Sequence, residues 1–178
     1  IIMDSAGAYL PYDVTERISY LVAHLKVPVG FHAHNNLGMS ISNSIAAIEA
    51  GAKFIDESAC GFGAGAGNAQ LEVLIAVLGK MGYETGIDLY KVLDAAEIVE
   101  EKIMEIIPSI KGISIVSGLS GVFSGFSRHV MRASKEYNVD PRDIFFELGK
   151  RKVVAGQEDM IVEVALQLSN KQKEGQNE

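Results

Sequence analysis

Apolar and polar residues alternate along the first half of the chain in a beat of short strands and longer amphipathic helices. Ile1 to Ser5 reads as a buried strand, and after a turn holding Pro11 the residues Ile18, Leu21, Val22 and Leu25 share one face of a helix from about Val14 to Leu25. Pro28 to His34 is the next apolar strand. Ser40 to Ala50 is the next helix, with Gly51 placed as a C-terminal glycine cap. Lys53 to Glu57 follows as a strand, then a glycine-rich loop from Gly61 to Gly67, then a helix with Asn68 as N-cap that runs to Met81 and stops at Gly82. Strand and helix in turn, at a pitch of roughly 26 residues, mark parallel β/α units. The strand ends echo each other, Asp4-Ser5-Ala6-Gly7 resembling Glu57-Ser58-Ala59-Cys60.

After Gly86 the strand pattern ceases. Asp88 to Ile107 predicts a long amphipathic helix with an acidic, solvated face (Glu97, Glu100, Glu101, Glu105), ended by Pro108. A run of small residues from Gly112 to Gly125 leads into a helix through His129 and Met131 to Tyr137. Asp140 and Pro141 predict the cap and first residue of a short helix to Leu148, Gln157 to Leu168 predicts another, and Asn170 to Glu178 is expected to fray. The expected division is thus an α/β part over residues 1–86 and a helical part over 87–178. Three β/α units alone would leave strand edges unpaired and much of the sheet uncovered. The chain also starts at Ile1 inside what already reads as a strand, so it is expected to begin in the middle of a larger domain.

Composition narrows the partners. A formal net charge of -7 over 178 residues, with no basic stripe, argues against nucleic acid and against an anionic membrane surface. No apolar run reaches the roughly 18 residues of a transmembrane span and no signal peptide is visible, so a soluble, cytoplasmic protein is expected. The single cysteine, Cys60, excludes an internal disulfide, fits a reducing compartment, and without a partner motif is expected to be a small packed side chain.

The chemistry centres on His32-Ala33-His34-Asn35, at the end of the second strand. Residues two apart on a strand point to the same side, so both imidazoles can converge on one cation. His24 and His129 lack such a partner and are expected to be structural or exposed. The loop spaces Gly61, Gly63 and Ala66 as in a dinucleotide-binding turn, but no second strand ending in an acid follows within ~20 residues. Ser5 and Ser58 at strand ends can equally well satisfy local backbone groups.

Taken together, Asp4 to Ala8, Gly30 to Leu37, Gly61 to Ala69 with Leu71-Glu72-Val73, Asp88-Leu89-Tyr90 and Gly156-Gln157-Glu158-Asp159-Met160-Ile161 resemble the 4-hydroxy-2-oxovalerate aldolases. These belong to the metal-dependent pyruvate-type lyases and synthases that include hydroxymethylglutaryl-CoA lyase. The resemblance implies a (β/α)₈ TIM barrel with an appended helical communication domain, this chain supplying strands six to eight and the tail. Strands one to five would be absent, roughly 130 to 150 residues of a ~250-residue barrel.

The resemblance further implies retro-aldol cleavage of 4-hydroxy-2-oxopentanoate to pyruvate and acetaldehyde in the breakdown of aromatic compounds. Such cleavage leaves an enolate on the pyruvyl fragment, for which a divalent cation is the natural electron sink. His32 and His34 would be two of its ligands, with Mn²⁺ expected and Co²⁺ or Mg²⁺ as alternatives. The third ligand, an aspartate, and the catalytic arginine and histidine of the family would lie in the absent half. Ser5 matches a serine that binds the pyruvyl carboxylate, and Asn68 matches a position near the metal. Phe123, in Gly121-Val122-Phe123-Ser124-Gly125-Phe126, stands where the family carries a tyrosine over the substrate, and phenylalanine cannot donate a proton. The implied partner of the tail is an acylating acetaldehyde dehydrogenase, docked on amphipathic helices and on the small residues Gly112, Ser114, Ser117, Gly118, Ser120 and Gly121, in an oligomeric enzyme. Two alternatives stay open: a Claisen-type acyl-CoA synthase or lyase of the same superfamily, and a non-catalytic interaction fragment.

Overall fold

Three short strands run parallel in chain order. In the computed structural model, which describes residues 1–175, β1 (Ile2–Asp4), β2 (Gly30–Ala33) and β3 (Phe54–Asp56) form one sheet in the order β1-β2-β3. Met3 lies opposite His32, and His32 lies opposite Asp56. Each strand is followed by a helix: α1 (Pro11–His24), α2 (Ser40–Glu49) and α3 (Leu71–Lys80). This is the β/α alternation that the apolar pattern predicts.

The pleat sends alternate side chains to opposite faces. Phe31 and Ala33 turn to the helices and are fully buried with Val14, Ile18, Ala47 and Ala69. On the other face Met3 is 59% exposed and Phe54 55% exposed. The sheet therefore has one packed face and one open face.

Several boundaries differ from expectation, each for a local reason. Helix α1 starts at Pro11 rather than near Val14, because proline tolerates the first helical position and the Asp13 carboxylate accepts the Leu10 N–H at 3.0 Å. Helix α3 is capped at Gln70, not Asn68; the Asn68 backbone forms an antiparallel bridge with His34, and its N–H donates to the Gly61 carbonyl. Helix α4 (Leu89–Lys102) is capped by Asp88, whose carboxylate accepts from the N–H groups of Tyr90 and Lys91. It stops well short of Ile107, and the chain then turns to set Pro108 against Gly67 and Ile110 against Gly38. Before that turn, α4 packs against α3 and a short 3₁₀ turn at Ala59–Gly61, with Cys60 buried beside the Ala96 carbonyl.

Four helices complete the chain: α5 (Gly112–Ser120), α6 (Ser127–Tyr137), α7 (Pro141–Lys150) and α8 (Asp159–Gly175). Asp140 caps α7 as expected, accepting the Arg142 N–H at 2.8 Å. The small-residue run is itself helical, and it faces inward. Ser114, Ser117 and Gly118 are buried, and a Cβ on Gly118 would meet Leu37 at 2.7 Å, so these three join the tail to the β/α part, whereas Gly112 and Gly121 at the ends of the run are exposed. The tail expected to fray from Asn170 continues as helix to Gly175, and residues 176–178 lie outside the described residues.

Candidate functional site

The C-terminal ends of parallel strands leave room between the following loops, and polar groups gather there. His32 and His34 sit at that end of β2 with ring centroids 5.0 Å apart. His32 is held from the neighbouring strand: its Nδ1 lies 2.9 Å from the Asp56 carbonyl and 3.3 Å from an Asp56 carboxylate oxygen. A carbonyl only accepts, so Nδ1 carries the proton and Nε2 keeps its lone pair for a cation. His34 differs. Its Nδ1 is buried with no hydrogen-bond partner, and burial, helped by the nearby His32, lowers its pKa from the ordinary value, while the Asp4 carbonyl opposes the fall. A neutral imidazole with an unsatisfied nitrogen is suited to ligation.

Asn68 lies beside this pair through the backbone bridge to His34. Its amide donates to the Phe62 carbonyl at 3.0 Å, leaving Oδ1 buried and unpartnered. Among the described residues no third His, Cys, Asp or Glu joins His32 and His34 in a set that could hold a metal. The donors present thus fit two positions of a cation site whose remaining ligands come from elsewhere.

Ser5 and Phe123 meet in a separate but adjoining space. They line a cavity of about 420 Å³ together with Met3, Asp4, Tyr9 and Val153, between the end of β1 and the helical tail. Neither histidine lines it, but Met3 pairs with His32 across the sheet, which sets the cavity next to the His pair. The Phe123 ring stands edge-on to Phe126, 5.7 Å between centroids, and a Cβ on Gly125 would collide with it. Asp4 is fully buried below the cavity, where its carboxylate accepts the Ala8 and Tyr9 N–H groups; burial raises its pKa and these donors oppose the rise.

Two residues essential to this arrangement escape the sequence reading. Asp56 is one; strand register alone could have placed it beside His32. Asn36 is the other. It is fully buried and its amide donates to the Ala6 carbonyl at 2.9 Å and to Ser124 Oγ at 2.5 Å, while its Oδ1 accepts the Ala66 N–H at 3.0 Å. One side chain thereby joins the loop after β1, the glycine-rich loop and the tail. Glycine is required around it: Gly7 and Gly65 both have positive φ, and a Cβ on either would come within 2.7 Å of Asn36. The loop amides of Ala66, Gly67 and Asn68 are all spent on internal acceptors, which packs the end of the loop against Asn36 and Gly61.

Residues 108–170 match the DmpG-like communication domain. A 4-hydroxy-2-oxovalerate aldolase from Pectobacterium atrosepticum is 65% identical over 171 residues, covering 96% of this chain and 50% of that protein. One from Spirochaeta aurantia is 62% identical with the same coverage. The chain thus spans about half the length of the curated relatives it matches. Among solved structures, an HMG-CoA lyase from Bacillus subtilis is 32% identical with a TM-score of 0.54, covering 60% of this chain and 38% of that one. The carboxyl transferase domain of Rhizobium etli pyruvate carboxylase superposes over 96% of this chain and 31% of its own at a TM-score of 0.76 and 15% identity, a likeness of fold alone. The three β/α units and the first turns of α4 fall within residues 1–99, the stretch matched by the HMGL-like family, and the chain belongs to that family.

Proposed function

We propose that this chain forms part of a metal-dependent aldolase that cleaves 4-hydroxy-2-oxopentanoate to pyruvate and acetaldehyde. The observation that carries the proposal is the pair His32 and His34, one oriented by Asp56 and the other neutral with an unpartnered nitrogen, beside a cavity that holds Ser5. The names of the relatives support it. His32 and His34 would hold the cation, Mn²⁺ by the mixed nitrogen and oxygen donors expected there, and the cation would supply the electrophile that takes up negative charge as the C–C bond breaks. Ser5 would offer a hydroxyl to the substrate carboxylate, Asn68 would support the His pair through its backbone bridge to His34, and Phe123 would shape the wall without exchanging protons. The remaining strands of the barrel, and with them the third ligand and the acid–base groups, would be contributed by polypeptide beyond these 178 residues. The helical tail would dock an acylating acetaldehyde dehydrogenase that consumes the aldehyde.

The test is pyruvate release by the complete enzyme, with CoA release from an acetyl-CoA condensation as control. His32→Ala and His34→Ala should each abolish cleavage and weaken Mn²⁺ binding, read independently by the metal's paramagnetic resonance signal. Full activity in both variants would refute the site, and CoA release without cleavage would refute the substrate.

A further inference from the structure

Glu57, the residue after β3, plays no part in the proposed chemistry, yet its surroundings are unusual for a carboxylate. Its Oε1 lies 2.5 Å from the hydroxyl of Ser44, a fully buried residue of α2. That hydroxyl has a single proton, and 2.9 Å away on its other side is the Ser40 carbonyl, which can only accept. The hydroxyl can give that proton to only one of the two, and where Ser40 takes it the Ser44–Glu57 contact requires a proton on Glu57. Its second oxygen, Oε2, is buried with no hydrogen-bond partner, the nearby Ala69 N–H being given to the Ala33 carbonyl at 3.0 Å, as the carbonyl oxygen of an acid tolerates better than a carboxylate does.

The chain of contacts continues to the site. The Ser40 hydroxyl donates to Asn35 Oδ1 at 2.8 Å, and Asn35 directly follows His34. We propose that Glu57 is kept as a neutral carboxylic acid whose hydrogen bond to Ser44 fixes the start of α2, and through Ser40 the Asn35 turn, making it a positioning residue for the rim of the site.

The neighbouring charges favour this state. From β3 the exposed Asp56 precedes Glu57 and points to the opposite face of the sheet; α2 contributes Ser40, Asn43 and Ser44, its one charged residue, Glu49, being exposed in the last turn. Of the charged residues of α3, Glu72 accepts the Cys60 N–H and Lys80 is exposed at the far end, while β2 contributes His32 and, beyond it, His34. Among the described residues no cation is placed to neutralise a Glu57 carboxylate. Burial pushes its carboxyl up to about 8, with the Asp56 charge adding to the rise and the Ser44 hydroxyl and the Ala69 N–H opposing it.

The sign of the stability effect follows. The folded chain holds the proton up to about pH 8 and the unfolded chain releases it near 4.5. This contribution is complete below 4.5 and is lost as pH rises through 8. Glutamine keeps the shape and a donor but cannot ionise.

The experiment follows the Glu carboxyl carbons by NMR in the full chain, in wild type, Glu57→Gln and Ser44→Ala, alongside urea midpoints from pH 5 to 9. One wild-type signal, absent from Glu57→Gln, should titrate far above the usual carboxylate range. The Asn35 and Ser40 amide signals should move with the same midpoint in wild type and hold still in Glu57→Gln. The urea midpoint of Glu57→Gln should gain on wild type as pH rises. In Ser44→Ala the Glu57 midpoint should shift, because its partner is gone, while staying elevated, because burial remains. A Glu57 signal in the ordinary carboxylate range, or an unmoved midpoint in Ser44→Ala, would overturn the proposal. Equal movement of the Asn35 and Ser40 signals in Glu57→Gln would do the same.

Discussion

The two parts of the chain bury their apolar residues differently. In the helical tail Val122, Val130, Ile144, Phe145, Leu148 and Val164 have no exposed surface, and α5 closes over them with Ile113 and Val116. The tail core is closed on itself. The β/α part packs one face of its sheet against α1 and α2 but leaves Ile1 65% exposed beside Met3 and Phe54 on the other. Burial of a full-sized apolar side chain contributes about 1.5–3 kcal/mol, so the open face forgoes several such contributions until something covers it. His32 belongs to that same face, since it alternates with Phe31 and pairs with Met3 and Asp56. The face that lacks a cover is therefore the face that carries the proposed chemistry, and the tail core is buried without it.

The strongest test of this contrast is a matched pair of truncations. Phe145→Ala empties a fully enclosed site in the tail and should cost about 3–5 kcal/mol in urea unfolding of the full chain. Phe54→Ala, on the open face, should cost less than about 1 kcal/mol in this chain, and several times more where the rest of a barrel covers it. Equal costs in this chain would mean that the sheet face is already covered, for instance by a second copy.

Next in size is the joint between the parts. Asn36→Ala leaves the Ala66 N–H without its acceptor and removes the donor that reaches the Ala6 carbonyl and Ser124. An abandoned buried polar group costs about 1–3 kcal/mol. The expected readout is a broadening or splitting of the single unfolding transition, because the tail loses its main polar hold on the strand loops. A sharp single transition at the wild-type midpoint would show that the α5 contacts alone join the two parts.

Much of this was legible from residue order. The β/α alternation, the His pair, the cap at Asp140 and the helical tail follow from periodicity and local chemistry, which act over a few residues. What escaped is long-range. Asn36 looks like any polar residue after a strand until the glycine-rich loop and Ser124, 88 positions on, close around it. Asn68 looks like an N-cap because Asn caps helices, yet its backbone is claimed by His34, and the helix waits for Gln70. The small-residue stripe of α5 resembled an outer docking surface because close packing has the same composition whether the partner is another chain or, as here, Leu37 and α7.

A smaller, pH-dependent effect belongs to the tail alone. Arg142 beside Asp140 holds that carboxyl down, at about 2, and the same carboxylate caps α7. The stabilisation is present above the ordinary carboxylate value and is lost as pH falls through 2. Asp140→Ala should cost about 0.5–2 kcal/mol at neutral pH, nearer the low end because the pair is partly exposed and screened. The gap from wild type should close on acidification toward pH 2. A gap that persists there would assign the loss to packing rather than to the charged cap.

The smallest effect is expected where the two parts meet. Phe123 reaches from the tail into the cavity that also holds Ser5, with its ring set by Phe126 and by the absence of a side chain on Gly125. Phe123→Tyr adds one hydroxyl at a half-buried position beside open space, so stability should change by less than about 0.5 kcal/mol. Positioned acid–base groups accelerate reactions by about 10²–10⁴-fold where they are used. An enzyme that works with phenylalanine here must already route its protons elsewhere. In the complete enzyme the substitution should therefore alter the cleavage rate by less than tenfold, about 1.4 kcal/mol of barrier, while changing discrimination among aldehydes of different length through the space it fills. A gain of several hundredfold with unchanged length preference would mean that the tail normally contributes a proton donor and that this chain has lost it, which would make the tail part of the catalytic machinery and erase the division of labour between the two parts.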